Sequence, residues 1–234
     1  MDALRGAPAY GVLPGAGSAG LVWERAAADL DDATVLPLPD ARDVAAMADE
    51  LRERIESLTR PRVLVGSSLG ALVALELARR IEVDGLVLIA AGFGIKVHPA
   101  VLARIAADPP GLLKEMARGV VADPDNRPVT EVITRDHEAR GSAVLLNHMT
   151  VLARYRPEAL SDPPPTVVVW GTQDPGVPLA AHVELALRCR GLLVPVAGAG
   201  HLPYLEQPVQ TVRWIRWAGR LAARDACDSG SRIA

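Results

Sequence analysis

Short apolar runs alternate along the chain with longer segments in which apolar residues recur every three or four positions. The first pattern predicts buried strands, and the second predicts amphipathic helices packed against them. Strands are predicted at residues 10–13, 34–38, 62–65, 83–91, 166–170 and 192–196. Helices are predicted at residues 21–30, 41–58, 71–80, 179–190 and 203–224. This alternation indicates an α/β fold, with a mostly parallel sheet of about six strands and helices on both faces.

The pattern changes between residues 93 and 165, which are polar and helical and contain no strand pattern. Pro109-Pro110 and Asp123-Pro124 interrupt this segment. It follows a predicted strand, and the carboxyl ends of parallel strands form the edge where open α/β sheets bind ligands. We therefore predict an α/β core at residues 1–92 and 166–224, a helical cap at residues 93–165, and a flexible polar tail at residues 225–234.

The segment Gly66-Ser67-Ser68-Leu69-Gly70 connects the predicted strand 62–65 to the predicted helix 71–80. It has the G-x-S-x-G spacing of a nucleophile elbow, in which a sharp turn exposes the central serine beside a helix N-terminus. The two glycines allow the strand and the helix to pack closely. The motif also recurs by chance, and Ser67 is the competing nucleophile if the register shifts. The strand and helix around it favour Ser68.

A serine hydroxyl is a weak nucleophile until a base takes its proton. Asp174 follows the strand 166–170, and His201 follows the strand 192–196 on a glycine-rich loop. Alone, Asp174 before Pro175 is typical of a turn, and His201 is typical of a residue that precedes a helix. Together they complete the chain order Ser, Asp, His, in which the histidine is the base and the aspartate fixes its tautomer. We predict a catalytic triad of Ser68, Asp174 and His201.

The reaction also needs N–H donors for the negative charge that develops on the carbonyl oxygen. We predict that these donors are the backbone N–H groups of Leu69, at the start of the elbow helix, and Ala16. Ala16 lies in Pro14-Gly15-Ala16-Gly17, called here the oxyanion turn, which follows the first strand. The predicted substrate contacts are Gly15, Phe93, His148, Met149 and Leu202. The plainer interpretation of His148 and Met149 is that they only pack within the cap.

Composition limits the remaining possibilities. The 234 residues fit one domain, half of them are hydrophobic, and the net charge of −3 comes with no basic cluster for nucleic acid. We expect no membrane span, signal peptide, metal or other cofactor, because neither the apolar runs nor the histidine spacing supports them. Cys189 and Cys227 do not make a disulfide framework, which predicts a cytoplasmic protein with free thiols. A small-molecule substrate is the expected partner, and the oligomeric state is not predicted.

Residues 10–221 resemble the α/β-hydrolase superfamily, and most closely its capped, single-domain bacterial members. These include carboxylesterases, carbon–carbon bond hydrolases and cofactor-free haloperoxidase-like enzymes. Besides the elbow, the resemblance rests on Val169-Trp170-Gly171-Thr172-Gln173-Asp174 and on residues 198–208, which match the pattern G-H-x-x-x-x-E-x-P. The resemblance implies that the first strand here corresponds to the third strand of the family. The oxyanion turn departs from the family, because Pro14-Gly15 replaces the usual His-Gly.

Three functions are consistent with these residues. The first is a serine hydrolase that cleaves a small to medium apolar ester or thioester through an acyl-enzyme. The second is a carbon–carbon bond hydrolase, lyase or cyclase that uses the same triad, with His201 as the main base. The third is a non-catalytic binding protein on the same fold, which the intact triad disfavours. A serine at position 68 argues against dehalogenase and epoxide hydrolase chemistry, because those enzymes use a carboxylate nucleophile in this fold.

Overall fold

Six parallel strands form one sheet in the computed structural model, which describes residues 6–231. The strands are β1 (Ala9–Leu13), β2 (Ala33–Val35), β3 (Arg62–Ser67), β4 (Gly85–Ile89), β5 (Thr166–Gly171) and β6 (Leu192–Val196). Their order across the sheet is β2-β1-β3-β4-β5-β6, and every neighbouring pair is parallel. The prediction of an α/β fold with about six mostly parallel strands is confirmed.

Each central strand buries side chains on both faces of the sheet. In β3, Val63 and Val65 join one hydrophobic core, whereas Leu64 joins the other. β4 alternates in the same way, with Val87 in the first core and Leu88 in the second. Successive side chains of a strand point to opposite faces. Because helices cover both faces, nearly every position of these strands is buried, which explains why the central strands are largely apolar runs.

Ten α-helices are described, and residues Leu21–Trp23 form a short 3-10 segment before the first of them. Five helices cover the sheet or connect its strands: α1 (Glu24–Ala28), α2 (Val44–Glu56), α3 (Leu69–Ala78), α8 (Leu179–Arg188) and α10 (Pro208–Ser231). α2, α3 and α8 share one core with Leu64, whereas α1 and α10 share the other core with Val63. The short helix α9 (Pro203–Glu206) precedes α10.

Several boundaries differ from those predicted. β2 ends at Val35 instead of residue 38, before Pro37, which has no N–H for the sheet ladder. α2 begins at Val44 instead of residue 41, where the Asp43 carboxylate accepts the Ala46 N–H at 2.8 Å. The helix predicted at 203–224 is two helices, and the second begins at Pro208. Residues 225–231 of the predicted tail continue α10, and residues 232–234 lie outside the described part of the chain.

The segment 93–165 contains four helices and no strand, and most of its side-chain hydrogen bonds to the core reach loops at the carboxyl edge of the sheet. An exception is the Tyr155 hydroxyl, which donates to Glu76 in α3 at 2.8 Å. The helices are α4 (Pro99–Ala107), α5 (Leu112–Gly119), α6 (Arg127–Glu138) and α7 (Ser142–Arg154). α4 packs against α7, and α5 packs against α6. A small hydrophobic core of Ile105, Leu112 and Leu145 joins them. Across residues 6–231, no helix combines the length and the apolar character that crossing a membrane requires.

Candidate active site

Ser68 occupies a sharp turn between β3 and α3. Its φ of 52° and ψ of −118° lie in a region that a non-glycine residue adopts only when its surroundings impose it. The Ser68 N–H donates to the carbonyl of Ile89 at 2.9 Å. A Cβ atom at Gly70 would overlap the backbone carbonyl of Leu13, and one at Gly66 would overlap the backbone of Gly70 and Ala71. The small residues of the motif therefore permit the close contact that holds the turn.

Asp174 and His201 meet at the carboxyl ends of β5 and β6. His201 Nδ1 lies 3.1 Å from Asp174 Oδ1 and 3.0 Å from Oδ2, and the Asp174 side chain is fully buried. Asp174 Oδ1 also accepts the N–H groups of Gly176 at 2.8 Å and Val177 at 3.1 Å. Burial raises the pKa of Asp174, but His201 and the two N–H groups outweigh burial, so this pKa lies below its usual value. The ionised carboxylate holds the proton of a neutral His201 on Nδ1 and leaves Nε2 as an acceptor.

Ser68 and His201 line the same cavity, which has a volume of about 350 Å³. Within residues 6–231 no hydrogen bond joins the Ser68 hydroxyl to His201. Such contacts are often long in a ligand-free enzyme and tighten when the substrate binds. Over the same residues, no group of three or more His, Cys, Asp or Glu side chains is placed to hold a metal ion.

Glu206 fixes the loop that carries His201. Its carboxylate accepts the N–H groups of Gly200 at 3.0 Å and Leu202 at 3.2 Å, which lie on either side of the histidine. It also accepts the N–H of Ala122, in the cap, at 2.7 Å. The His201 N–H in turn donates to the carbonyl of Val120 at 2.8 Å. The sequence analysis matched Glu206 to the family pattern, and the structure places it behind the predicted base.

The oxyanion turn lies beside Ser68 because β1 and β3 are neighbours. Leu13 pairs with Gly66 in the register of these strands, and a Cβ atom at Gly15 would lie 3.5 Å from the Ser68 Cβ. Among the described residues, the Ala16 N–H has no protein acceptor. Leu69 begins α3, so its N–H has no partner within the helix. Both predicted donors therefore lie in segments next to Ser68, the predicted nucleophile.

His148, from α7, braces the oxyanion turn. Its Nδ1 accepts the Gly17 N–H at 3.0 Å, so its proton is on Nε2, which donates to the carbonyl of Pro39 at 2.9 Å. The ring is fully buried. His137, from α6, supports the same turn, since its Nε2 lies 3.3 Å from the Ala16 carbonyl oxygen. Two histidines of the cap thus hold the backbone that carries a predicted oxyanion donor.

The cavity includes three of the five predicted substrate contacts. Gly15, Met149 and Leu202 line it, whereas Phe93 and His148 do not. Both nitrogens of His148 are used by the backbone, as described above, so we correct its predicted role from substrate contact to brace. Phe93 packs against the core beneath the guanidinium group of Arg188, 4.3 Å from the ring centroid, and we remove it from the site.

The sequence analysis missed other polar residues that line the cavity. Tyr204 stacks on Trp23 with ring centroids 3.7 Å apart, and its hydroxyl lies 3.3 Å from the Ser67 Oγ. Asp136 and His137 extend into the cavity wall from α6. Asp136 had a usable signal, because the apolar positions 129, 132 and 133 place it on the buried face of this helix. A charged residue on such a face is unusual unless it has a partner.

Substitutions of His148 distinguish a role in hydrogen bonding to the oxyanion turn from a role in packing alone. For the ester hydrolysis predicted from the sequence, we expect His148→Leu to lower kcat by about 10²–10³-fold, because the turn that carries a predicted oxyanion donor loses its anchor at Gly17. It also leaves two buried backbone groups unpaired, at about 1–3 kcal/mol each. His148→Asn provides an oxygen acceptor for the Gly17 N–H and should recover much of kcat. Steady-state kinetics and urea unfolding of both variants check this, and equal kcat losses in the two would contradict the brace.

Acid is expected to destabilise the fold through its buried histidines. Burial lowers the pKa values of His137, His148 and His182. A histidine with a lower pKa in the folded chain binds a proton more readily when unfolded, so its contribution is complete above about pH 6.5 and declines as the pH falls. We expect Tm to fall progressively from pH 7 to pH 5, and to fall less in His148→Asn. Calorimetry at several pH values measures this, and a constant Tm would be inconsistent with neutral buried histidines.

Comparison with known proteins places this geometry in a family. A sequence model described as the alpha/beta hydrolase family matches residues 6–214. No curated protein matches the sequence significantly. An esterase from Exiguobacterium antarcticum has a TM-score of 0.79 at 17% identity, over 92% of each chain. The Rhodococcus 2-hydroxy-6-oxo-6-phenylhexa-2,4-dienoate hydrolase scores 0.74 at 22% identity, over 92% of this chain and 91% of its own.

A type II thioesterase from the borrelidin biosynthetic cluster has a TM-score of 0.68 at 20% identity, over 94% of this chain and 95% of its own. At such low identities, these similarities establish the shared fold and not a shared substrate. The family match extends over most of the chain, from before β1 into α10, and includes the elbow, Asp174 and His201. The chain therefore belongs to the alpha/beta hydrolase family.

Proposed function

We propose that the protein is a serine hydrolase that cleaves esters or thioesters through an acyl-enzyme. The observation that carries this proposal is the arrangement of four features around one cavity, which Ala16, Ser68 and His201 line. These are the strained turn at Ser68, the hydrogen-bonded pair Asp174–His201, and the N–H groups of Ala16 and Leu69 beside Ser68. A nucleophile, a base with a fixed tautomer and an oxyanion site are the three requirements of acyl transfer.

In the first half of this reaction, His201 Nε2 takes the Ser68 hydroxyl proton while Oγ attacks the carbonyl carbon of the substrate. The N–H groups of Ala16 and Leu69 stabilise the resulting oxyanion. His201 then gives its proton to the leaving alcohol or thiol as the C–O or C–S bond breaks. In the second half, His201 takes a proton from water, which attacks the acyl-enzyme, and the proton returns to Ser68 Oγ as the acid leaves. Asp174 remains ionised and stabilises the imidazolium throughout.

The cavity supports an acyl group of small to medium size. Its volume of about 350 Å³ lies at the lower end of the range for small-molecule sites. Its apolar wall is contributed mainly by the cap, including Val97, Met116, Leu145, Met149 and Leu152. An acyl chain against this wall would lose contact with water, which is the main source of affinity for an apolar group.

An assay with matched esters and a thioester tests this function. We expect turnover of p-nitrophenyl acetate, butyrate and octanoate, and we expect thiol release from the N-acetylcysteamine thioester of butyrate. An identically purified Ser68→Ala preparation is the control for contaminating esterases. Absence of turnover on every substrate would overturn the proposal. Decay of a vinylogous diketone chromophore in place of ester turnover would support the carbon–carbon hydrolase instead.

A further inference from the structure

Asp136 is a buried carboxylate in the wall of the cavity that holds Ser68. It lies in the last turns of α6, and only 1% of its surface is exposed. Its Oδ1 accepts the N–H of Leu21, at the start of the 3-10 segment, at 2.7 Å. Within the described part of the chain, its Oδ2 has no hydrogen-bond partner. One oxygen of Asp136 is therefore structural, and the other is unused.

No protein cation compensates this carboxylate among residues 6–224, since no Lys, Arg or His side chain forms an ion pair with it. Its neighbour His137 also lines the cavity. Burial lowers the pKa of His137, although Asp136 and the carbonyls of Ala16 and Ile133 oppose this effect, so the ring is neutral at pH 7. Asp136 also lies near the carbonyl end of α6, where the helix dipole disfavours an anion.

A buried acceptor without a donor is costly, so such a group in a folded protein calls for a partner from outside the chain, such as a water, an ion or a ligand. The cavity is otherwise lined mainly by apolar side chains, and Lys96 is an exposed residue in its wall. Asp136 lines the cavity, but almost none of the surface of Oδ2 is accessible, so a donor on a bound molecule reaches this oxygen only when neighbouring side chains of the wall shift. The bond from Leu21 uses the other oxygen and can remain. A plain alkyl chain in the same position would cover the carboxylate and leave it unpaired.

We propose that Asp136 is a specificity-determining residue, whose Oδ2 accepts a hydrogen bond from a hydroxyl or protonated amine on the substrate. This inference rests on the proposed hydrolase function and refines its substrate class. The preferred ester or thioester would carry a hydrogen-bond donor on an otherwise apolar chain. Ser68 would attack the carbonyl while Asp136 holds the donor at another point of the cavity.

The test compares p-nitrophenyl esters of hexanoic, 6-hydroxyhexanoic and 6-aminohexanoic acids, and of the corresponding eight-carbon acids. The quantity measured is the ratio of kcat/KM for a donor-bearing ester to that for the alkyl ester of equal length. Asp136→Asn keeps an oxygen for the Leu21 N–H and presents an amide donor where Oδ2 was. One such ratio is obtained for the hydroxyl ester and one for the amino ester. We expect the larger of the two to fall by about 10–100-fold in this variant, as for the loss of a hydrogen bond to a charged group. A larger fall for the amine than for the hydroxyl would identify a cationic substrate.

Glu138→Gln is the matched control, because Glu138 is an exposed carboxylate on the same helix and its loss changes the net charge equally. We expect it to leave the ratio as in the wild type. Equal ratios in the wild type and Asp136→Asn would overturn the proposal and leave Asp136 as a structural residue only. If no ester is hydrolysed, the hydrolase proposal fails separately. The site is then judged by whether 1-hexylamine or 1-hexanol raises Tm more in the wild type than in Asp136→Asn.

Discussion

Replacement of Ser68 by alanine is expected to lower kcat for ester hydrolysis by roughly 10⁴- to 10⁶-fold. The change removes the only atom that the mechanism allows to form the acyl-enzyme. The Asp174–His201 pair and the oxyanion donors remain, so a small residual rate above that of water is expected. The fold should tolerate the change, because alanine is smaller than serine and the neighbouring glycines still permit the turn. Stopped assays at high enzyme concentration with p-nitrophenyl butyrate measure the loss.

Ser67→Ala is the matched control for this experiment. Ser67 is adjacent in the chain, lines the same cavity and donates its hydroxyl to Tyr204 at 3.3 Å. Its loss removes one buried hydrogen bond, so we expect a decrease in kcat of less than about tenfold. A large loss in Ser67→Ala, with activity retained in Ser68→Ala, would show that the elbow has been assigned in the wrong register.

The second large effect is expected for Asp174→Asn, which should lower kcat by about 10⁴-fold. The Gly176 and Val177 N–H groups both donate to Asp174 Oδ1. They would hold the amide oxygen of the variant in that place and turn its NH₂ group toward His201. Nδ1 would then have to accept a hydrogen bond, and the ring proton would move to Nε2. In this tautomer His201 cannot take the proton of Ser68.

The expected signature of Asp174→Asn is a low kcat with nearly unchanged KM and Tm at pH 7, because the variant is isosteric. Activity should recover partly at high pH, where hydroxide can replace the base. Asp162→Asn is the matched control, since Asp162 is an exposed carboxylate in the cap. A kcat for Asp174→Asn within tenfold of the wild type would remove Asp174 from the mechanism.

The sequence predicts the sheet well, and it predicts the strand ends after which Ser68, Asp174 and His201 lie, because both depend on local signals in a fixed order. The central strands are largely apolar runs, and Ser68, Asp174 and His201 each follow the end of one strand. Strand ends at one edge of a parallel sheet come together whatever the connecting segments do. Boundaries are predicted less well. Asp43 sets the start of α2 because its side chain caps the first turn, and Pro208 sets the start of α10 because it lacks an N–H. The hydrophobic pattern carries no information about either residue.

The cap shows why the remaining site residues are harder to predict. His148 and Met149 are neighbours on α7, yet Met149 lines the cavity and His148 faces the oxyanion turn. Consecutive residues of a helix point about 100° apart around its axis. Which of the two faces the cavity depends on how α7 packs and not on its composition. Phe93 similarly lies close to the strand end but packs beneath Arg188. Tertiary packing decides which side chains face the cavity, so the residue type alone does not specify them.

The contacts of the cap suggest that it contributes to the active-site geometry as well as covering it. His148 anchors the oxyanion turn through Gly17, and the Val120 carbonyl anchors the His201 backbone. Glu206 connects Ala122 of the cap to the loop around His201. A substrate that displaces α5 or α7 would therefore also move a proposed oxyanion donor or His201, the proposed base. This coupling offers a physical route by which fit to the cap can affect kcat as well as KM.

The most direct test of the proposed mechanism is covalent labelling with a fluorophosphonate, followed by peptide mass spectrometry. The reagent phosphonylates only a serine that a neighbouring base activates, so it reports the nucleophile without requiring the natural substrate. We predict one adduct per chain, located on Ser68, absent in Ser68→Ala and formed far more slowly in Asp174→Asn. No adduct on the wild type, or an adduct on a different residue, would contradict the account.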